Sequence, residues 1–145
     1  MSQLIRILYE VSRLRDHYEG VHRTLCGLSP QRLIAVLHGK PAQQQAQLEN
    51  LREIRQQLHR AQGELGGMSG EEIARVRRGR EIHPALANYV AALLESTDRL
   101  EILCRLELST GEGAAPRDQA KIAYDDAVQH HRRLASRLNQ LIRIL

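Results

Sequence analysis

The stretch QLIRILYEVSRLRDHYEGVHRTL, residues 3–25, decides the fold class of this chain. Its apolar side chains recur at alternating intervals of three and four positions, the spacing of one face of a helix in a bundle or coiled coil. The members of this apolar stripe are Leu4, Ile7, Val11, Leu14, Tyr18, Val21 and Leu25. Residues 4–8 alone would also suit a strand. The continuation of the stripe favours a helix from about Ser2 to Cys26 that ends at Gly27.

The same periodicity predicts three further long helices. They run from Pro41 to Gly66-Gly67, from near Pro84 to a point before Gly111, and from Pro116 or Arg117 to the end of the chain. Their apolar stripes are Leu48, Leu51, Ile54, Leu58, Ala61 and Leu65; Leu86, Val90, Leu93, Thr97, Leu100 and Leu103 or Cys104; and Ala120, Tyr124, Ala127, His131, Leu134, Leu138, Leu141 and Leu145. The segment 111–115 is the predicted flexible loop.

Two short helices are predicted between the long ones. The first has Ser29 as its N-cap and runs to His38. The second has Ser69 and Glu72 in a capping-box pattern and runs to about Arg78. With 145 residues, we expect one domain, 1–145. Short linkers favour antiparallel neighbours, so the predicted fold is an all-α, up-down bundle of four long helices plus two short ones.

Composition narrows the class of protein. The net charge is +4, which permits a polyanionic partner without requiring one. No stretch is apolar enough for a membrane span, and the N-terminus lacks the apolar region and cleavage site of a signal peptide. Cys26 and Cys104 are the two cysteines. We expect them to be reduced, buried thiols in a cytoplasmic protein, with a disulfide between them as the alternative.

The hexapeptide Gln3–Leu8 recurs unchanged as Gln140–Leu145. In an up-down bundle both copies lie at one end, where they supply more apolar side chains than one core stripe needs. The predicted partner-binding residues are Leu4, Ile5, Ile7, Leu8, Leu141, Ile142, Ile144 and Leu145. Three explanations stay open: a coincidental core solution, a surface for a partner or a second copy, and engineered overlap as in a circular permutant.

Four arginines, Arg75, Arg77, Arg78 and Arg80, form the predicted polyanion contact. The alternative is a solvated helix end, since Arg near a C-terminus complements the helix dipole. No aromatic residue lies among them, so stacking on single strands is poorly served.

Catalytic, cofactor and metal motifs are not found in the sequence. Asp126 and His130, four positions apart, are the nearest approach to a metal pair, but a di-iron bundle needs Glu-x-x-His motifs on two helices. His131 lies in an apolar stripe, where a hydrogen-bonded core histidine is expected. We therefore predict no enzyme activity, no cofactor and no metal.

The third long helix carries a second apolar stripe of Tyr89, Leu94, Ile102, Leu106 and Leu108. Such a helix either presents a second face to a partner helix or a second copy, or lies at the centre of the bundle.

Leu33, Leu37 and Lys40, followed by a long helix, form a Leu-x3-Leu-x2-Lys pattern. It resembles a segment of flagellar export chaperones of the FlgN type, over about a third of the chain. Pro41 after Lys40 and the basic net charge depart from that family. The resemblance implies a helical chaperone without catalysis or cofactor.

The sequence thus predicts a non-enzymatic helical protein-binding module. It would be a chaperone, an adaptor or a self-assembling subunit that buries an amphipathic segment of a partner or of its own copy. The alternative is a nucleic-acid-associated subunit that uses residues 75–80 with Arg132, Arg133 and Arg137.

Overall fold

Five α-helices make up most of the part of the chain that the structure, a computed structural model, describes: residues 2–26, 41–108 and 114–143. They are α1 (Gln3–Cys26), α2 (Pro41–Gly66), α3 (Gly70–Ala74), α4 (Gly79–Leu108) and α5 (Ala114–Arg143). Within these ranges no strand occurs, so the all-α prediction is confirmed. Three predictions lie wholly or partly outside the described residues: the short helix from Ser29 to His38, the FlgN-like pattern at Leu33, Leu37 and Lys40, and residues 111–113 of the predicted loop. Ala114 and Ala115 were predicted as loop but belong to α5, which therefore begins before the predicted Pro116 or Arg117.

The apolar stripe of α1 is buried along its whole length. All seven predicted members are at most 2% exposed. The predicted stripes of α2, α4 and α5 are likewise buried or partly buried wherever their side chains are described. Each buried Leu or Ile contributes about 1.5–3 kcal/mol relative to an exposed one. The core therefore forms where the helical periodicity placed it.

Helix α4 begins at Gly79, five positions before the predicted start at Pro84. Proline lacks the N–H that would bond to the carbonyl of Arg80, and it disfavours helical geometry at the preceding residue. Two tertiary contacts hold the first turn in place. Ile82 is fully buried, and the Nε2 atom of His83 lies 2.7 Å from the carbonyl oxygen of Leu65 at the end of α2. Packing has overridden the local preference.

The connection from α3 to α4 is tight. Ser69 caps α3, with its hydroxyl oxygen accepting the backbone N–H of Glu72 at 3.2 Å and its hydroxyl donating to the carboxylate of Glu72 at 3.3 Å, so the predicted helix start at Ser69 is confirmed. The helix ends at Ala74 rather than near Arg78. After its C-cap, Arg75, the backbone N–H of Val76 bonds to the carbonyl of Ile73, three positions back, which is a tighter turn than the α-helical one. Arg78, farther along this connection, adopts a left-handed conformation with φ of 58°.

Polar side-chain contacts join neighbouring long helices. Arg6 at the start of α1 contacts Glu64 near the end of α2 at 2.7 Å. Arg55 of α2 pairs with Glu101 of α4 at 2.5 Å, and Ser96 of α4 lies 2.7 Å from the Nδ1 atom of His131 on α5.

Helix α4 packs against each of the other four helices. This central position buries Tyr89 and Leu94 of its second apolar stripe, which favours the central-helix interpretation. Ile102 of the same stripe remains 45% exposed. None of the described helices combines the length and apolarity needed to cross a lipid bilayer.

Candidate partner-binding groove

The structure separates the predicted partner-binding residues into two groups. Leu4 and Ile7 are fully buried and Leu141 is nearly so, which places all three in the core and not on a contact surface. Their flanking neighbours are only partly buried: Ile5 and Leu8 on α1, and Ile142 on α5. Ile144 and Leu145 lie outside the described residues.

Those three partly exposed aliphatic residues line one groove between α1 and α5. Its volume is about 350 Å³. We call it the α1–α5 groove and define it by its lining: Ile5, Leu8, Tyr9, Val11, Ser12, Arg15, Leu86, Tyr89, Ala135, Leu138, Asn139 and Ile142. Both copies of the repeated hexapeptide contribute to it, one from each wall.

The groove exists because α1 and α5 are held apart. Their backbones stay farther from each other than those of the closely packed pairs, such as α4 with α5. At one end of this gap large side chains meet. The hydroxyl oxygens of Tyr18 and Tyr124 lie 2.6 Å apart, and the Nδ1 atom of His22 hydrogen-bonds to the hydroxyl of Tyr124. Toward the other end, the small residues Ser12 of α1 and Ala135 of α5 line the open part of the gap.

The floor of the groove contains one unusual polar group. Tyr89 of α4 is 3% exposed, and within the described ranges its hydroxyl has no hydrogen-bond partner. Burial raises the pKa of Tyr89, so its hydroxyl stays protonated. Arg15 lines the groove near Tyr89, and its guanidinium group contacts the carboxylate of Asp16 at 3.3 Å. The groove is therefore mainly apolar, with a few hydrogen-bonding groups toward its inner end.

Ser96 of α4 and His131 of α5 form a buried polar pair. His131 is 1% exposed, and burial lowers its pKa to about 4. Its Nδ1 atom lies 2.7 Å from the hydroxyl oxygen of Ser96, while its Nε2 atom is buried and has no hydrogen-bond partner among the described residues. The ring packs edge-on against Tyr18 at 5.4 Å between ring centroids. A neutral ring in this position fits the expected core histidine.

The predicted arginine cluster lies in the α3–α4 connection and at the start of α4. Arg75, Arg77 and Arg80 are exposed, and within the described ranges no ion pair is found for them. Arg78 is half-buried and pairs with Glu81 at 2.5 Å. Three guanidinium groups of the four thus remain available to a polyanion.

The other predicted candidates do not converge on a site. Asp126 and His130 are both exposed on α5. Among the described residues no three His, Cys, Asp or Glu side chains are grouped to hold a metal ion. Cys104 is buried, while the side chain of Cys26 lies outside the described part, so their pairing stays untested.

Several groove residues were not singled out from the sequence: Tyr9, Ser12, Arg15, Ala135 and Asn139. On α1 a signal was present, because Ile5, Leu8, Ser12 and Arg15 follow the same three-four spacing as the core stripe. This second row mixes apolar and polar residues. A hydrophobic pattern alone therefore does not mark it.

Comparison of the chain with models of protein families, with curated protein sequences and with solved structures finds no match.

Proposed function

We propose that this chain is a non-enzymatic protein-binding module that receives an amphipathic helical segment in the α1–α5 groove. The observation that carries this proposal is the groove itself, where Ile5, Leu8 and Ile142 leave apolar surface open beside a buried core. A helix laid in a groove is a recurrent mode of protein recognition and uses a few apolar anchors at i, i+3, i+4 and i+7.

The proposed scaffold is an up-down bundle of the four long helices. It is supported by contacts that join the end of one long helix to the start of another. Arg6 and Glu64 join the start of α1 to the end of α2, and Leu65 and His83 join the end of α2 to the start of α4. In such a bundle the start of α1 and the end of α5 lie together, which accounts for two copies of one hexapeptide lining one groove.

The apolar character of the groove surface supports a chaperone or adaptor role. The groove lining contains one charged side chain, Arg15, so burial of apolar area would supply most of the affinity. The affinity of such binding depends only weakly on salt concentration. The affinity of an interface between charged groups would fall as salt screens them.

The test is a binding titration with a fluorescein-labelled model peptide that forms an amphipathic helix with Leu at i, i+3, i+4 and i+7. We expect binding that is retained between about 50 and about 200 mM salt, because apolar contacts are not screened. Ile142→Ser should weaken it at least about tenfold, since loss of a central anchor removes a large share of interface energy. Fluorescence anisotropy gives both results.

The matched control is Ile122→Ser. Ile122 is on the same helix, is 62% exposed and lies outside the groove lining. This variant should bind the peptide as the parent chain does, with an unchanged circular dichroism spectrum. Equal binding by the parent chain and Ile142→Ser, or no binding by either, contradicts the proposal.

A second candidate function rests on Arg75, Arg77 and Arg80, which are exposed and unpaired among the described residues. Three phosphate contacts would lower the affinity for duplex DNA by about 40-fold between about 50 and about 200 mM salt. The same salt series, run with a DNA probe, thus distinguishes this function from the groove function.

A further inference from the structure

Tyr9 is one of three large hydrophobic residues that stand out as exposed in the described part of the chain. It is 65% exposed, against 45% for Ile102 and 62% for Ile122. Of these three, Tyr9 alone lines the α1–α5 groove. An aromatic side chain that projects to solvent therefore stands at the edge of an apolar hollow.

A projection beside a hollow makes one surface patch complementary to itself, as a two-fold symmetric interface requires. In such an interface the same patch faces itself, so each copy inserts its own projection into the hollow of the other. The groove holds about 350 Å³. Pockets for drug-sized ligands begin at about 300 Å³, and a tyrosine side chain is smaller than such a ligand.

The chemistry of the groove also fits a tyrosine. Ile5, Leu8 and Ile142 offer aliphatic contact to the ring. Ser12 and Asn139, farther along the same lining, offer a hydroxyl and an amide that can both donate and accept hydrogen bonds. Tyrosine combines an apolar ring with a polar tip and is enriched at interfaces for this reason.

The charges around the groove suit a second copy of the same chain. A two-fold axis brings each charge close to its own equivalent, so uncompensated charge would repel. The charged side chains of α1 near Tyr9 have polar partners, and Arg13 donates to the amide oxygen of Gln57 at 2.7 Å. Arg6 contacts Glu10 at 3.0 Å and Glu64 at 2.7 Å, and Arg15 contacts Asp16 at 3.3 Å. The exposed arginines of residues 75–80 lack such compensation.

We propose that the occupant of the α1–α5 groove is a second copy of this chain, with Tyr9 of each copy seated in the groove of the other. This inference rests on the proposed function, because it takes the groove as a binding site, and it names the partner.

Sedimentation velocity of the whole chain from about 1 µM to about 1 mM tests it, a range that brackets weak interfaces. We expect a reversible monomer–dimer equilibrium. Tyr9→Ser should raise the dimer dissociation constant at least about tenfold, because a buried aromatic anchor carries a large share of interface energy. Tyr9 is exposed, so the variant should keep its circular dichroism spectrum.

Ile122→Ser is the control for loss of an exposed hydrophobic residue elsewhere and should dimerise as the parent chain does. A parent chain that stays monomeric up to about 1 mM, above the range of specific weak complexes, overturns the inference. So does a Tyr9→Ser variant that dimerises as well as the parent.

The model-peptide titration separates the two proposals. If the parent chain is monomeric yet binds the peptide through Ile142, the dimer is wrong and the groove function stands. If the dimer forms through Tyr9, the peptide should dissociate it, because both need the same groove. A peptide that binds the intact dimer without dissociating it contradicts the inference.

Discussion

At the residue scale, His131 illustrates how burial controls protonation. Its ring packs among Tyr18, Tyr89 and Ser96, and its pKa falls to about 4 because the charged form loses hydration. The positive charges of Arg132 and His22 act in the same direction. At neutral pH the ring is a neutral part of the core.

We expect stability to fall as the pH drops from about 6.5 to about 4. In this window the unfolded state binds a proton at His131 that the folded state does not, so the stability present above about pH 6.5 is progressively lost. The loss of unfolding free energy from His131 amounts to about 3 kcal/mol. Burial also lowers the pKa of His22, so protonation of His22 destabilises the folded state in the same direction. Urea unfolding at a series of pH values measures this dependence.

His131→Gln should flatten that dependence, even if it lowers stability at neutral pH. The neighbouring variant His130→Gln should keep it, because His130 is exposed. A pH dependence in His131→Gln as steep as in the parent chain means that other groups carry the effect.

Gly79 shows the second residue-scale constraint, a close approach of two backbones. A Cβ atom at Gly79 would lie 1.9 Å from the carbonyl oxygen of Ile73. Gly79→Ala should therefore lower the free energy of unfolding by about 1–3 kcal/mol, the cost of shifting packed backbone.

Gly63 in α2 provides the control, because a Cβ atom at this position would lie in open space. Gly63→Ala should raise stability by up to about 1 kcal/mol through helix propensity. Chemical denaturation of both variants gives the comparison, and equal effects would contradict the steric explanation.

At the element scale, the pair α1 and α5 is joined by side chains and not by close backbone packing. Tyr124 is the centre of this junction, since its hydroxyl meets Tyr18 and His22 of α1. The same junction sets the width of the gap that becomes the α1–α5 groove.

Tyr124→Phe should lower the free energy of unfolding by about 1–3 kcal/mol, because buried hydrogen-bonding groups lose their shared partner. A double-mutant cycle with Tyr18→Phe should give a coupling of about 0.5–3 kcal/mol. Tyr9→Phe is the control and should leave the stability of the monomer unchanged, since Tyr9 is exposed. Additive effects of the two core variants would show that the Tyr18–Tyr124 contact carries no energy of its own.

At the scale of the whole molecule, the described residues present two surfaces of different character. The α1–α5 groove is apolar, and the charged side chains of α1 near Tyr9 have polar partners. The exposed arginines of residues 75–80 lie in the α3–α4 connection and at the start of α4. The preceding helix, α3, packs against both α1 and α4. The proposed dimer uses the first surface and leaves the second exposed to solvent, where salt screens its charge.

The sequence by itself determined the helices and their buried faces. All seven stripe residues of α1 are buried, and α2 has the predicted bounds, because helix formation and amphipathic burial follow from spacing within one segment. For the same reason the N-cap at Ser69 was predictable from the four residues 69–72.

Only the tertiary structure decided where α4 begins and which terminal residues reach the surface. The start at Gly79 depends on the burial of Ile82 and on the contact of His83 with Leu65, which lies on another helix. The groove depends on the distance between α1 and α5. That distance is set by the contact between Tyr18 and Tyr124, two residues that are distant in sequence from Ile5 in the groove. The local pattern of one helix carries no information about such distances, because they depend on side chains that meet only after the bundle has packed.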